Sequence, residues 1–127
     1  MGHIYIAAAH KSSGKTSVSI GLTAACVKRG LSIQPYKKGP DYIDPLWLAL
    51  AAGRPCYNLD FYTQSHEEII DTFSSNLEEK SCGLIEGNMG LFDGMDVGGS
   101  DSNAALSKLL SSPVVLVIDT AGIHRGI

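Results

Sequence analysis

The sequence predicts an α/β protein, a parallel sheet flanked by helices. Three observations carry that reading: short apolar runs alternate with stretches of helical periodicity, Gly30 and Gly53 stop two of the helical stretches, and the apolar runs end in polar or charged residues. The first run, Ile4-Tyr5-Ile6-Ala7-Ala8-Ala9, is apolar throughout, as a strand buried on both faces requires. Over 16–29 the apolar residues Val18, Leu22, Ala25 and Cys26 recur at helical spacing. Lys28 and Arg29 suit the last turn of this helix, and Gly30 stops it. Residues 31–36 read as a second strand, which completes a strand–helix–strand unit.

The next stretch, Lys37-Lys38-Gly39-Pro40-Asp41-Tyr42-Ile43-Asp44-Pro45, holds two prolines and a glycine and reads as a loop. A charged loop at the carboxyl end of a strand is where α/β proteins place ligand contacts. Residues 46–52 predict a short helix, stopped by Gly53 and Pro55. Ser65-His66-Glu67-Glu68 has the pattern of a helix N-terminus, and that helix runs to Leu77. Gly83-Leu84-Ile85-Glu86 is a short third strand. The six glycines from 83 to 99 are expected outside strand and helix interiors, in a loop that a ligand approaches closely. A helix over 104–110 and a fourth strand over 114–118, ending at Asp119, finish the pattern. There is no internal repeat and no low-complexity linker.

At 127 residues the chain is at most one domain, read here as 1–127. Sheets of this kind usually continue with further strands, so the expectation is the N-terminal part of a larger, incomplete fold. A hydrophobic fraction of 44% with 18% charged residues is enough for a buried core. The net charge of −3 gives no electrostatic reason to expect nucleic acid or an anionic membrane as partner. No apolar run approaches the ~20 residues of a bilayer span, and the start lacks the pattern of a secretory signal. Cys26, Cys56 and Cys82 are odd in number and widely spaced, which suits reduced thiols in a cytoplasmic protein and fits neither a disulfide framework nor zinc.

Between the first strand and the first helix lies Ala9-His10-Lys11-Ser12-Ser13-Gly14-Lys15-Thr16, which matches G-x-x-x-x-G-K-[ST] except that Ala9 stands at the first glycine. The strand before it and the helix after it are the context this phosphate-binding loop, the P-loop, demands. Backbone N–H groups of Ser12, Ser13, Gly14 and Lys15 can converge on phosphate oxygens, reinforced by the positive end of the helix. Lys15 would reach the outer phosphates, Thr16 would ligate Mg2+, and Ser17 adjoins the same cofactor-binding set. The sequence therefore predicts a P-loop NTPase-type sheet that binds a nucleoside triphosphate with Mg2+. Some relatives of this loop carry an early lysine that reaches across a dimer. Here that position is His10, and Lys11, one residue late, reads as a solvated loop lysine.

Two acids compete for the metal. Periodicity favours Asp119, after the better-looking strand, whereas Gly87 and Gly90 favour Glu86 by letting a ligand approach the backbone. Asp41, Asp44 and Asp93 are the other acids in loops near the expected phosphates. A hard cation takes one or two carboxylates together with a hydroxyl and phosphate oxygens. Lys37 is placed to neutralise phosphate charge in a transition state.

Several blocks resemble one family. Gln34-Pro35-Tyr36-Lys37-Lys38-Gly39-Pro40-Asp41-Tyr42-Ile43-Asp44-Pro45, Asn58-Leu59-Asp60, Glu86-Gly87-Asn88-Met89-Gly90-Leu91-Phe92-Asp93-Gly94 and the stretch over 102–119 are similar, in this order, to the cobyrinic acid a,c-diamide synthases. The resemblance implies an ATP- and magnesium-dependent amidoligase. Such an enzyme activates the a and c acetate carboxylates of a tetrapyrrole acid as acyl phosphates, and ammonia derived from glutamine then displaces the phosphate. Its nucleotide-binding part is similar to dethiobiotin synthetase.

Carried over by position, Lys15, Lys37, Asp41, Asp44 and Asp93 are catalytic candidates. Thr16, Asp41 and Glu86 are the metal candidates, so the resemblance decides for Glu86 over Asp119, and Ser102 is placed near substrate or nucleotide. The chain departs from the family in its less glycine-rich phosphate loop, in Ser17 where a second threonine is usual, and in Ser102-Asn103-Ala104 where Ser-Thr-Ala is usual. The family's glutaminase domain has no counterpart in these residues, and a homodimer is compatible with the pattern. The competing expectations are a nucleotide-binding module without chemistry and a dethiobiotin synthetase-like carboxylate-activating enzyme. A dimeric ATPase switch is disfavoured by His10 and by the Gly39–Pro45 block, for which it has no use.

Overall fold

A computed structural model describes residues 2–123. In chain order its elements are β1 (His3–Ala8), α1 (Lys15–Lys28), β2 (Ser32–Lys38), α2 (Asp44–Ala52), β3 (Tyr57–Leu59), α3 (His66–Asn76), β4 (Ser81–Gly90), α4 (Asn103–Leu109) and β5 (Val114–Val117). The strands form one parallel sheet in the order β3-β2-β4-β1-β5. The α/β class and the parallel sheet read from the sequence are what the structure shows.

Alternation along the strands divides the core between the two faces. Tyr5, Tyr36, Ile85, Ile69, Phe73 and Leu106 pack together on the face carrying α3 and α4. Ile6, Ile33, Leu84 and Leu48 pack on the other, against α1 and α2. Helix α3 starts as its sequence predicts: Ser65 Oγ accepts from Glu68 N at 3.1 Å, and Glu68 Oε1 accepts from Ser65 N at 3.0 Å. Replacing Ser65 with alanine is expected to cost about 1 kcal/mol, read as a lower midpoint in urea unfolding.

Four details depart from the sequence reading. Strand β2 continues to Lys38, because Lys37 and Lys38 pair with Asn58 and Leu59 of β3. Strand β3 escapes a periodicity reading since it has three residues and follows Pro55. Strand β4 is ten residues long and, besides Gly83, takes in Gly87 and Gly90, which the sequence placed in a loop. These glycines serve close packing inside the sheet: a Cβ at Gly83 would lie 2.9 Å from the Cβ of His3, and one at Gly90 would lie 2.8 Å from Asp93 Oδ2.

The last strand, expected to be the fourth, is the fifth and lies at the sheet edge. It pairs with β1 alone among the described residues, which leaves Val114, Val115 and Leu116 exposed at 39%, 45% and 43%. Cys26, Cys56 and Cys82 are free thiols, as their spacing predicts. No helix among the described residues is long and apolar enough to cross a membrane.

Because every strand runs the same way, Ala8, Lys38, Leu59, Gly90 and Val117 end at one edge of the sheet. The segments 9–14, 39–43, 60–65 and 91–102 therefore gather there.

Candidate active site

At this edge the 9–14 segment turns into α1 through Gly14, whose φ of 87° lies in the left-handed region open to glycine. Ser12 takes a φ of 63° in the same turn. Ser13 is buried and ties the turn together, its Oγ donating to His10 O at 2.7 Å. Gly14 caps α1 without a side-chain hydrogen bond, so the first amides of the helix have no side-chain cap. His10, Lys11 and Ser17 are exposed, in keeping with Lys11 as a solvated lysine.

Beside this turn lies a buried charge cluster. Lys37 is 1% exposed, and its Nζ sits 2.9 Å from Glu86 Oε1, 3.0 Å from Asp44 Oδ2 and 2.9 Å from the Gly87 carbonyl oxygen. Glu86 is wholly buried. Thr16 Oγ1 donates to Glu86 Oε1 at 2.6 Å and approaches Asp44 Oδ2 at 3.4 Å. The cluster thus joins β2, β4 and the first turns of α1 and α2. Asp41 stands at its margin, with Oδ2 at 3.9 Å from Lys37 Nζ and Oδ1 accepting from the amides of Ile43 and Asp44.

Lys15 is half-buried one residue from Thr16, and burial, followed by the Lys37 charge, lowers its pKa. The same burial pushes the Cys56 thiol up to about 12, with Glu86 as the next cause.

Lys38, on the opposite face of β2, is also buried. Its Nζ reaches Asn88 Oδ1 at 3.3 Å, and it lines a cavity of about 400 Å³ with Tyr62, Asn88, Met89, Asp93, Met95 and Asp101. Burial lowers the Lys38 pKa. Asp93 accepts from Gly90 N at 2.9 Å and so holds the turn after β4. Asp101 is held at about 2, chiefly by the Tyr62 hydroxyl and then by the Met95 and Asp96 amides.

The structure therefore brings Thr16, Lys37, Asp44 and Glu86 into direct contact, with Lys15 and Asp41 at the margin. Asp93 lines the same cavity as Lys38. Ser102 is turned to a structural task, since its Oγ accepts from Ala105 N at 3.1 Å as the cap of α4 and donates to Gly99 O at 2.8 Å. Asp119 is exposed and closes its own turn by accepting from Ala121 N at 2.9 Å. Sequence reasoning gave no role to Lys38 or to the Gly87 carbonyl. Strand alternation after Lys37 was the signal available for the first, and the second has no side-chain signature.

The fold and this edge define a class: a parallel α/β domain with a glycine-turned loop opening onto α1 and a buried lysine–carboxylate cluster beside it. Its relatives are more particular. The chain is 51% identical over 98% of its length to the cobyrinate a,c-diamide synthase of Magnetococcus marinus, of which it spans 27%. It is 41% identical over 98% of its length to that of Syntrophotalea carbinolica, again spanning 27%. It is 48% identical over 91% of its length to the hydrogenobyrinate a,c-diamide synthase of Brucella anthropi, spanning 27%.

The resemblance read from the motifs therefore holds along nearly the whole chain. Its curated homologues at 40–51% identity are named cobyrinate or hydrogenobyrinate a,c-diamide synthases. The chain spans about a quarter of their length. No family model matches it.

Proposed function

We propose that this protein carries the carboxylate-activating half of an ATP-dependent amidoligase acting on the a and c acetates of a tetrapyrrole acid. The observation that carries the reading is Lys37: a buried ammonium held by Glu86 and Asp44, next to a glycine-turned loop with uncapped amides. The names of the relatives support the amide-forming part of this reading.

In this reading the amides of Ser12, Ser13, Gly14 and Lys15 cradle the phosphates of ATP, which is the P-loop role. Lys15 and Lys37 face the transferring phosphoryl group and offset its charge. Burial, and after it the Lys37 charge, lowers the pKa of Lys15, and a bound phosphate anion offsets that repulsion. A carboxylate oxygen of the substrate attacks the terminal phosphorus and ADP leaves. Ammonia then attacks the acyl carbon, and phosphate leaves with the C–O bond broken and the amide formed. Asp93, which lines the cavity that Lys38 also lines, borders the substrate side. Ammonia from glutamine and a cytoplasmic setting complete the proposal.

The residues suit a magnesium ion. Glu86 Oε2 is buried without a hydrogen-bond partner among the described residues, and Thr16 Oγ1 and Asp44 offer hard oxygens beside it. Thr16 and Glu86 would hold the ion, with Asp41 or Asp44 completing the protein's share. When bound, magnesium supplies charge neutralisation on the phosphate oxygens.

The test is ADP release by the full-length protein with MgATP, with and without cobyrinic or hydrogenobyrinic acid. The expected result is turnover that needs magnesium and rises at least about tenfold with one of these acids. ATP binding without hydrolysis in every combination contradicts the proposal and supports a nucleotide-binding module.

A further inference from the structure

The peptide unit joining Gly87 to Asn88 makes contacts in two opposite directions. Its carbonyl oxygen accepts from Lys37 Nζ at 2.9 Å, and its amide donates to Asn103 Oδ1 at 3.1 Å. In a trans peptide the C=O and N–H bonds point opposite ways, so fixing one aims the other. The sheet does not fix this unit. The ladder from β4 to β2 ends at Lys37 opposite Glu86, and that to β1 steps from Glu86 directly to Gly90. The chain then turns at Met89, whose φ is 49°.

Asn103 supplies what the ladders omit. It is wholly buried, and its Oδ1 accepts a second bond from Tyr5 OH at 2.8 Å. Its Nδ2 donates to Gly90 O at 2.9 Å and to Asn88 O. Two lone pairs and two N–H bonds are thus all engaged, which fixes the amide in one orientation. Glycine at 87 permits this approach, because a Cβ there would collide with Asn103 Oδ1.

We infer that Asn103 is a positioning residue for Lys37: it holds the Gly87–Asn88 peptide so that its carbonyl faces the ammonium and keeps it in the cluster with Glu86 and Asp44. Asn88, held at both its amide and its carbonyl, presents its own side chain to Lys38. One buried amide therefore sets the lysines on both faces of β2. The consequence for turnover rests on the amidoligase reading; the accessibility of Lys37 does not.

Pulse labelling of lysines with acetic anhydride, read by mass spectrometry on the full-length protein, tests the accessibility directly. Asn103→Ala is expected to raise the Lys37 labelling rate about tenfold, the effect of releasing a buried hydrogen bond to a charged group. Phe73→Leu, a core change on α3, lowers the melting temperature but leaves Lys37 labelling within about twofold of the wild type. An unchanged Lys37 rate in Asn103→Ala, or an equal rise in Phe73→Leu, overturns the inference.

If Asn103→Ala does not fold, Asn103→Leu, which fills the volume without the hydrogen bonds, stands in with the same expectation. In turnover, Asn103→Leu lowers kcat about tenfold with the KM for ATP within about threefold of the wild type. A fall in stability with kcat intact assigns Asn103 a structural role only and overturns the positioning. A wild type with no tetrapyrrole-dependent turnover removes the amidoligase reading and leaves the labelling result to decide the inference.

Discussion

Replacing Glu86 with leucine lowers the stability of the protein by about 3–5 kcal/mol, because Lys37 is then left buried without its principal counter-charge. Both partners are at most 1% exposed, so solvent screens neither. Asp44 remains 3.0 Å from Lys37 Nζ, but its side chain is 25% exposed and balances the ammonium less completely. Thr16 also loses its acceptor at 2.6 Å. Urea unfolding measures the effect, and a loss below about 1 kcal/mol would show that the cluster tolerates an unpaired lysine. Exchanging Lys37 for methionine as well removes the stranded charge and recovers most of the stability. That double variant has neither the acid nor the cation of the proposed site, and its ATP turnover is expected to stay at background.

Lys15→Met separates function from stability in the opposite sense. Burial and the neighbouring Lys37 already disfavour the Lys15 ammonium, so removing it leaves the melting temperature unchanged or higher. If Lys15 offsets charge on a transferring phosphoryl group, ATP turnover falls about 100-fold or more. Steady-state ADP release together with a thermal melt reads both quantities on one sample. Unchanged turnover would remove Lys15 from the proposed site, and a large fall in melting temperature would make it a structural residue.

Much of this geometry is legible along the chain, for identifiable reasons. β1, α1 and the turn between them were readable because a buried strand, helical spacing and a Gly-Lys-Thr signal coincide there. The Ser65–Glu68 box announced α3 by itself. Lys37, Asp44 and Glu86 were singled out by their place after strands, and the structure puts them in contact.

What failed to show follows from packing across the sequence. Periodicity prefers Asp119, because 114–118 is the better-looking apolar strand, yet β5 is an edge whose apolar residues stay exposed. The glycines of β4 read as loop, since nothing local says that Asn103 and Asp93 approach them. Asn103 itself was visible only as a departure from a family pattern. Its role depends on a peptide fifteen residues away, which no local rule reaches.

The central claim is that a tetrapyrrole carboxylate is activated by phosphoryl transfer, and isotope transfer tests it most directly. Cobyrinic or hydrogenobyrinic acid carrying 18O in its acetate carboxylates is incubated with the full-length protein, MgATP and ammonia, and the released phosphate is analysed by mass spectrometry. The account predicts one 18O atom in the phosphate for each amide formed, because the carboxylate oxygen leaves with the phosphoryl group. Amide formed with unlabelled phosphate, or ATP hydrolysed with no label transferred, would contradict it.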